Sequence, residues 1–152
     1  IRAGSKPDQP DNVVQPFLTQ RMALVASDSY IAQNGKPADT GDLVNHRFVG
    51  HDNEDSRAPF NRWLMSVVGK PQITFRATDN RIMREAILAG AGIGFMPVME
   101  LQNYPTLKVV MPILDEWAAP LWLVTHVDLH RTAKVQAFLK HLKEYTANEA
   151  LA

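Results

Sequence analysis

Short apolar runs alternate with segments of helical periodicity along most of the chain. RMALVAS (21–27), HRFVGH (46–51), QITFRA (72–77), LKVVM (107–111) and LWLVTH (121–126) have the length and composition of strands. In APFNRWLMSVVG (58–69), apolar residues recur at helical spacing, which predicts a helix that ends at Gly69. Strands that alternate with helices in this way predict an α/β architecture with a largely parallel sheet.

The two ends of the chain differ from this pattern. Residues 1–20 include three prolines and several Asp, Asn and Gln residues, which predicts an irregular segment. After the first strand, Ser27 or Asp28 can cap a helix that stops at Gly35. Apolar residues near the other end predict a final amphipathic helix with lysines on its opposite face. Its apolar stripe consists of Val135, Phe138, Leu139 and Leu142.

The three glycines of TDNRIMREAILAGAGIGFMP (78–97) raise the question of a phosphate-binding loop. A dinucleotide-binding fingerprint needs its glycines after a strand and at the start of a helix. Here the segment begins with three N-cap residue types, and the glycines close the helix. We therefore interpret Gly90 as a C-terminal residue with positive φ, and Gly92 and Gly94 as positions of close packing. The predicted buried stripe of this helix is Ile82, Ala86, Ile87 and Ala89.

Composition and charge exclude several classes of protein. The chain has 152 residues, of which 45% are hydrophobic and 21% charged, as in soluble globular domains. Sixteen basic and sixteen acidic residues cancel, so no basic surface for a phosphate backbone is expected. No apolar run reaches the ~20 residues that span a bilayer and no leader pattern opens the chain, which favours a cytoplasmic protein without a membrane partner. The lack of cysteine excludes thiolate metal sites and cysteine nucleophiles.

Two enzyme interpretations have weak support in the residues. HVDLH (126–130) spaces His126 and His130 as zinc-binding helices do, but it lacks the glutamate after the first histidine and it leaves a strand. No G-x-S-x-G elbow is present to expose a serine nucleophile. We therefore expect no catalytic residue, no metal and no cofactor, and a small α/β enzyme that uses the two histidines remains an alternative.

The order of these segments resembles the effector-binding domain of LysR-type transcriptional regulators over nearly the whole chain. LVASDSYIAQNGKPADTGDLVNHRFVG (24–50) is similar to the family stretch L-V-A-S-P-x-Y-L, G-x-P, D-L, a histidine and a short strand. ATDNRIMREAILAGAGIGFMP (77–97) resembles its strand, capped helix and A-G-x-G-I-x-x-x-P run. IRAG, LKVVMPILDEW, LWLVTH and AKVQAFLKHLKEY resemble an early strand end, the closing strands and the final helix. Asp28, in place of a usual proline, and Pro105-Thr106, in place of a glycine, are departures confined to turns.

The resemblance implies an α/β fold of two Rossmann-like subdomains joined by two crossing strands, similar to type 2 periplasmic binding proteins. Residues 1–26 and 118–152 would form part of effector-binding subdomain I, which would be incomplete, and residues 27–117 would form subdomain II. The family's winged helix-turn-helix has no counterpart in the chain. An effector would bind in the cleft between the subdomains, where the carboxyl ends of strands meet helix N-termini.

Residues 78–80 are the first candidates for effector contact, because they connect the strand at 72–77 to a helix N-terminus. Free backbone amides at such a position suit a carboxylate or another small anion. Asp79 would repel an anion, so we expect it to cap the helix while Thr78 and Asn80 face the ligand. The alternative is that all three residues only cap the helix.

Five further residues are candidates for the same site. Gly4 and Ser5 follow the IRA strand end and could meet the ligand from the opposite side with backbone and hydroxyl groups. His51 follows the strand RFVG and could be a polar contact, although a single histidine is more often a loop residue. Met96 and Pro97 could line an apolar part of the pocket.

The function implied by the resemblance is the sensing of a small polar or anionic metabolite, without chemistry. Such regulators are homo-oligomers, either dimers or tetramers, and would contact DNA only through the N-terminal domain that this chain lacks. A type 2 solute-binding protein of a transporter is the alternative, since it shares the architecture. A secretory leader encoded upstream would favour that alternative, and an upstream winged helix would favour the regulator.

Overall fold

The computed structural model describes the backbone of residues 1–149 and the side chains of residues 1–146. The chain forms two compact units: a central unit of Gln20–Ala119, and a terminal unit of Ile1–Thr19 together with the chain from Pro120 onward. The predicted subdomain bounds at 26/27 and 117/118 stay a prediction, because compact units need not coincide with bodies that move separately.

Eight strands and five helices are assigned within residues 1–149. The strands are β1 (Arg2–Ala3), β2 (Asn12–Gln20), β3 (Met22–Ser27), β4 (Phe48–His51), β5 (Ile73–Ala77), β6 (Gly94–Pro97), β7 (Leu107–Val109) and β8 (Ala119–His126). The helices are α1 (Asp28–Asn34), α2 (Pro59–Val67), α3 (Asn80–Leu88), α4 (Val127–His130) and α5 (Ala133–Glu149). Short 3-10 turns follow several of them, including Val98–Asn103 after β6.

The strands of the central unit form one mixed arrangement. β4 pairs with β5 in parallel, and a parallel bridge between Phe48 and Ile93 joins β4 to the segment that leads into β6. β3 pairs with both β6 and β7 in antiparallel register. The prediction of a largely parallel sheet is therefore wrong at β3. Alternation of strands and helices predicts direction only for strands that are joined through a helix, whereas β3 pairs with strands far from it in sequence.

All six residues of β3 are buried, because the strand is covered on both faces. Met22, Leu24 and Ala26 pack into one hydrophobic cluster with Trp117. The alternate residues of β3 pack into a second cluster, which α3 contributes to through Ala86 and Ile87. Full burial of a side chain such as Leu24 contributes about 1.5–3 kcal/mol to the free energy of unfolding. The fully apolar run at 22–26 is the sequence signal of such a strand.

The glycines after α3 have the structural role that the sequence predicts. Gly90 has φ of 82°, a conformation that other residues rarely adopt. A Cβ atom on Gly92 would lie 2.7 Å from the backbone oxygen of Arg47, and one on Gly94 would lie 2.6 Å from Cδ1 of Ile87. These contacts confirm that the segment closes a helix and packs tightly against β4 and α3.

Three local predictions about helices need correction or refinement. Ser27 caps α1 by accepting a hydrogen bond from the backbone N–H of Tyr30, so the cap is Ser27 and not Asp28. In α3, two residues of the predicted buried stripe are exposed: Ile82, at 53%, and Ala89. The residues that face the core are Met83, Ala86 and Ile87. α2 ends at Val67, before Gly69, whose φ of −75° is accessible to any residue.

The terminal unit contains a strand where the sequence predicts an irregular segment. β2 spans Asn12–Gln20 and lies beside β8 in a sheet of order β1-β8-β2. Pro16 is tolerated within β2 because an edge strand does not need every backbone N–H for the ladder. In α5, Leu139 is buried as predicted, whereas Phe138 is 61% exposed. The predicted apolar stripe is therefore only partly covered.

Candidate functional site

A cavity of about 220 Å³ lies within the central unit, where several elements end or begin. His51 ends β4, Pro97 ends β6 and Asn80 begins α3, and all three line the cavity. The strand ends and a helix N-terminus converge because β4 and the segment before β6 run in parallel. Such an edge of an α/β sheet is where ligands commonly bind.

The deeper lining of the cavity is apolar. It includes Met22, Phe60, Leu64, Met83, Ile87, Phe95 and Met96. Phe95 packs against Phe60 with ring centroids 5.3 Å apart and against Trp117 at 5.0 Å, and Trp63 packs edge-on against Trp117 at 4.9 Å. Tilted and edge-to-face aromatic pairs of this kind fix ring orientations. The apolar lining is therefore preformed.

His51 lines the cavity, and one of its two ring nitrogens already has a partner. Its Nδ1 accepts a hydrogen bond from the backbone N–H of Asn53 at 2.9 Å. In the neutral imidazole the proton then lies on Nε2, because one ring nitrogen donates and the other accepts. Nε2 has no hydrogen-bond partner among the described residues, so this N–H is available to a ligand.

Asp79 occupies the N-terminus of α3. Its Oδ1 accepts from the backbone N–H of Arg81 at 2.7 Å, and its Oδ2 lies 3.1 Å from Nη2 of the same residue. Hydrogen bonds from the Arg81 side chain and backbone lower the pKa of Asp79. Asn80, the next residue, is exposed and lines the cavity, and its side-chain amide has no hydrogen-bond partner among the described residues.

Arg84 and Glu100 are cavity residues that the sequence reasoning missed. Nη1 of Arg84 lies 3.4 Å from Oε2 of Glu100, and the guanidinium carbon lies 5.1 Å from the centroid of the Tyr104 ring. Arg84 shares a helix face with Asn80, since the two are four residues apart. That spacing could have identified Arg84, whereas nothing in the sequence places Glu100 opposite it.

The structure brings four of the seven predicted ligand contacts to this one cavity. These four are His51, Asn80, Met96 and Pro97. Thr78 is exposed and does not line it. Gly4 and Ser5 belong to the terminal unit, where the N–H of Gly4 donates to the Pro120 oxygen at 2.9 Å and its oxygen accepts from Nε1 of Trp122 at 2.8 Å.

The two histidines with zinc-like spacing are bound to groups of their own chain. Nδ1 of His126 accepts from the backbone N–H of Asp128 at 3.3 Å, and Nδ1 of His130 is 2.8 Å from Oγ1 of Thr125. Within the described residues, no group of three or more His, Cys, Asp or Glu residues is placed to hold a metal ion. Among the helices of that same part of the chain, none is long and apolar enough to cross a membrane.

Comparison with known proteins gives a family and named relatives. The family model described as the LysR substrate binding domain matches residues 1–147. The chain is 27% identical over 156 aligned positions to the HTH-type transcriptional regulator CrgA of Neisseria meningitidis serogroup B, a match that covers 97% of the chain and 51% of CrgA. It is 24% identical over 138 positions to the probable HTH-type transcriptional regulator LtrA of Klebsiella pneumoniae, covering 86% and 45%. The chain thus spans about half the length of these relatives.

Solved structures show the same fold. The regulatory domain of CrgA from Neisseria meningitidis superposes with a TM-score of 0.76 at 22% identity, covering 93% of this chain and 72% of that one. The effector domain of AmpR of Pseudomonas aeruginosa superposes with a TM-score of 0.70 at 17% identity, covering 98% and 72%. These likenesses confirm the α/β fold of two Rossmann-like subdomains that resembles periplasmic binding proteins.

Proposed function

The chain belongs to the LysR substrate-binding domain family, and we propose that it senses a small polar or anionic metabolite for a transcriptional regulator. The observation that supports this proposal best is the cavity of about 220 Å³ at the ends of β4 and β6. It combines a preformed apolar lining with a few hydrogen-bonding groups, which is the usual composition of a small-molecule site.

The chemistry of the cavity supports binding without catalysis. The residues that line it include no Ser, Thr, Cys or Lys side chain that could serve as a nucleophile. His51 is positioned by Asn53 as a donor through Nε2 and lacks a nucleophile to activate. We infer that the ligand leaves the site unchanged. The relatives that the chain matches are named as regulators, which supports the same interpretation and does not favour the solute-binding protein of a transporter.

The proposed mechanism is a shift in conformational populations. A ligand that binds one state of the intact protein more tightly than another shifts the equilibrium by that difference in affinity. A coupling free energy of about 1–3 kcal/mol is typical of allosteric proteins and is enough to change DNA affinity several-fold. We propose that the intact regulator is a cytoplasmic homo-oligomer, a dimer or a tetramer, and that it contacts DNA through a segment outside this chain. Ligand contacts by Thr78, Gly4 and Ser5 remain part of this proposal.

A thermal-shift screen of small metabolites tests the proposed function. A ligand present at 100 times its Kd adds about 2.7 kcal/mol to the free energy of unfolding, which raises the Tm of a chain of this size by about 5–10 °C. We expect hits whose effect is lost in a Phe95→Ala variant, and retained when the exposed Val44 is changed to Ala. A screen without hits, together with turnover of any substrate, would contradict the proposal.

A further inference from the structure

The position that an anionic ligand would take at α3 is already occupied by the chain itself. The carboxylate of Asp79 accepts the backbone N–H of Arg81 at 2.7 Å, as a bound anion at a helix N-terminus would. A second carboxylate beside Asp79 would meet like charge, which disfavours the charged form of both groups. The helix N-terminus therefore does not offer an anion site to the cavity.

Both cations that line the cavity are also paired. Arg81 lies 3.1 Å from Asp79, and Arg84 lies 3.4 Å from Glu100 while its guanidinium stacks on Tyr104. Nε of Arg84 has no hydrogen-bond partner among the described residues, but this atom is enclosed by protein and faces Oε1 of Glu85 at 3.7 Å. A carboxylate in the cavity would have to displace Glu100, which is itself a lining residue with negative charge.

Two neutral side chains that line the cavity keep a polar group without a partner. Nε2–H of His51 and the amide of Asn80 have no partner within the described part of the chain, and both residues line the cavity. Together they offer N–H donors to an oxygen acceptor. Donors of this kind can satisfy a carbonyl oxygen without any net charge, whereas an ionised carboxylate that loses water needs a compensating cation.

The volume of the cavity fits a ring-sized molecule. An apolar protein cavity of about 150 Å³ accommodates benzene, and the present cavity of about 220 Å³ leaves room for one short polar group as well. The aromatic side chains of Phe60 and Phe95 line it and would contact such a ring.

We propose that the effector is a ring-sized apolar molecule with an uncharged oxygen acceptor, such as an amide, ketone, ester or lactone, and that Glu100 excludes carboxylates by pairing with Arg84. This inference rests on the proposed function, because it specifies the ligand of the same cavity. His51 and Asn80 would bind the acceptor, and Glu100 would determine specificity.

Benzamide and benzoate form a matched pair of probes, since they share the ring and differ in the charge of the polar group at neutral pH. Their affinities for the 152-residue chain are measured by ligand-observed NMR and by quenching of tryptophan fluorescence. We expect benzamide to bind at least about tenfold more tightly than benzoate, because the carboxylate of benzoate would lie near that of Glu100 without a free cation to pair with. A tenfold difference in Kd corresponds to about 1.4 kcal/mol.

The variant Glu100→Gln removes the charge and keeps the length of the side chain. We expect it to improve the affinity for benzoate relative to that for benzamide at least about tenfold, because Arg84 then lacks its anionic partner. Glu85→Gln is the matched control, since Glu85 neighbours the same guanidinium but does not line the cavity. The control should change neither affinity.

The outcomes separate the inference from the function on which it rests. Tighter binding of benzoate than of benzamide by the unchanged chain would overturn the inference and leave a ligand-binding function in place. Failure of both probes to bind at millimolar concentration would overturn the proposal of a ring-sized ligand. The thermal-shift screen of metabolites would still test the proposed function separately. Equal effects of Glu100→Gln and Glu85→Gln would overturn the specificity role of Glu100.

Discussion

Two groups of polar side chains in the central unit differ in whether their hydrogen-bonding atoms have partners within the chain. In the Tyr30 cluster (Tyr30, Asp42, His46 and Arg47), the Tyr30 hydroxyl accepts from the backbone N–H of Arg47 at 3.0 Å and lies 3.0 Å from Nδ1 of His46. In the cavity, His51 and Asn80 retain donors without a partner among the described residues. Polar groups that a chain satisfies internally stabilise its fold, whereas groups left free beside a cavity are available to a ligand.

The two histidines illustrate the difference. Because the Tyr30 hydroxyl accepts from Arg47, its own proton is best donated to Nδ1 of His46, and Nε2–H of His46 then points toward Oδ2 of Asp42 at 3.7 Å. His46 is buried and both of its ring nitrogens face partners. His51 has the same arrangement at Nδ1 only, so its Nε2–H remains available. Burial on all sides, and not residue type, commits both ring nitrogens of His46 to the fold and leaves Nε2–H of His51 open to the proposed ligand.

The largest expected effect comes from breaking the Tyr30 cluster. Tyr30→Phe removes the hydroxyl and leaves the part-buried backbone N–H of Arg47 and the buried Nδ1 of His46 without this partner. Unsatisfied buried groups cost about 1–3 kcal/mol each, so the free energy of unfolding should fall by roughly 2–4 kcal/mol in urea denaturation. Tyr104→Phe, which keeps its ring over Arg84, should change it by less than about 0.5 kcal/mol. Equal losses in the two variants would contradict the comparison.

A smaller effect, on ligand affinity and not on stability, is expected at the cavity. Asn80→Ala should weaken benzamide binding about five- to tenfold, because it removes a hydrogen bond worth about 1 kcal/mol, and should leave the free energy of unfolding within about 0.5 kcal/mol. Isothermal titration measures the first quantity and urea denaturation the second. Asn103→Ala changes an exposed asparagine that does not line the cavity, and it should affect neither. A loss of stability without a loss of affinity would assign Asn80 to capping alone.

The smallest expected effect is the response to acid, which involves Asp42 of the Tyr30 cluster and Asp79, the neighbour of Asn80 in sequence. The pKa of Asp42 is lowered first by its hydrogen bond with Asn45 and then by that with Ala38, and the pKa of Asp79 is lowered by Arg81. Each carboxylate therefore binds a proton less readily in the folded chain than in the unfolded chain. Its contribution to stability is present above the ordinary pKa of 3.8 and is lost as the pH falls below that value.

Stability measured from pH 6 to pH 3 checks this expectation. Asp42→Asn and Asp79→Asn should each flatten the loss of stability at acid pH, and the double variant should flatten it further because the two sites are independent. Asn45→Ala keeps the Asp42 carboxylate but removes the first cause of its lowered pKa, so the loss should be smaller and should be complete at a higher pH. A curve for Asp42→Asn that matches the unchanged chain would show that this carboxylate does not contribute.

Much of the fold could be predicted from local signals in the sequence. The apolar run at 22–26 predicts a buried strand, and Ser27 and Gly35 predict the bounds of α1. Gly90 and the close approaches at Gly92 and Gly94 follow from the absence of a side chain. β2 was not predictable in this way, because its pairing with β8 joins segments that are distant in sequence, at 12–20 and 119–126. The direction of β3 depends on equally distant partners.

The sequence by itself determined the order of the strands from β3 to β8 and of the helices between them, the cap of α3, and the residues His51, Asn80, Met96 and Pro97 as neighbours of strand or helix ends. It did so because caps, turns and apolar periodicity depend on residues a few positions apart. Only the tertiary structure decided that those four residues line one cavity and that Glu100 faces Arg84. Charged residues that are far apart along the chain attract or repel each other strongly only when packing brings them close together.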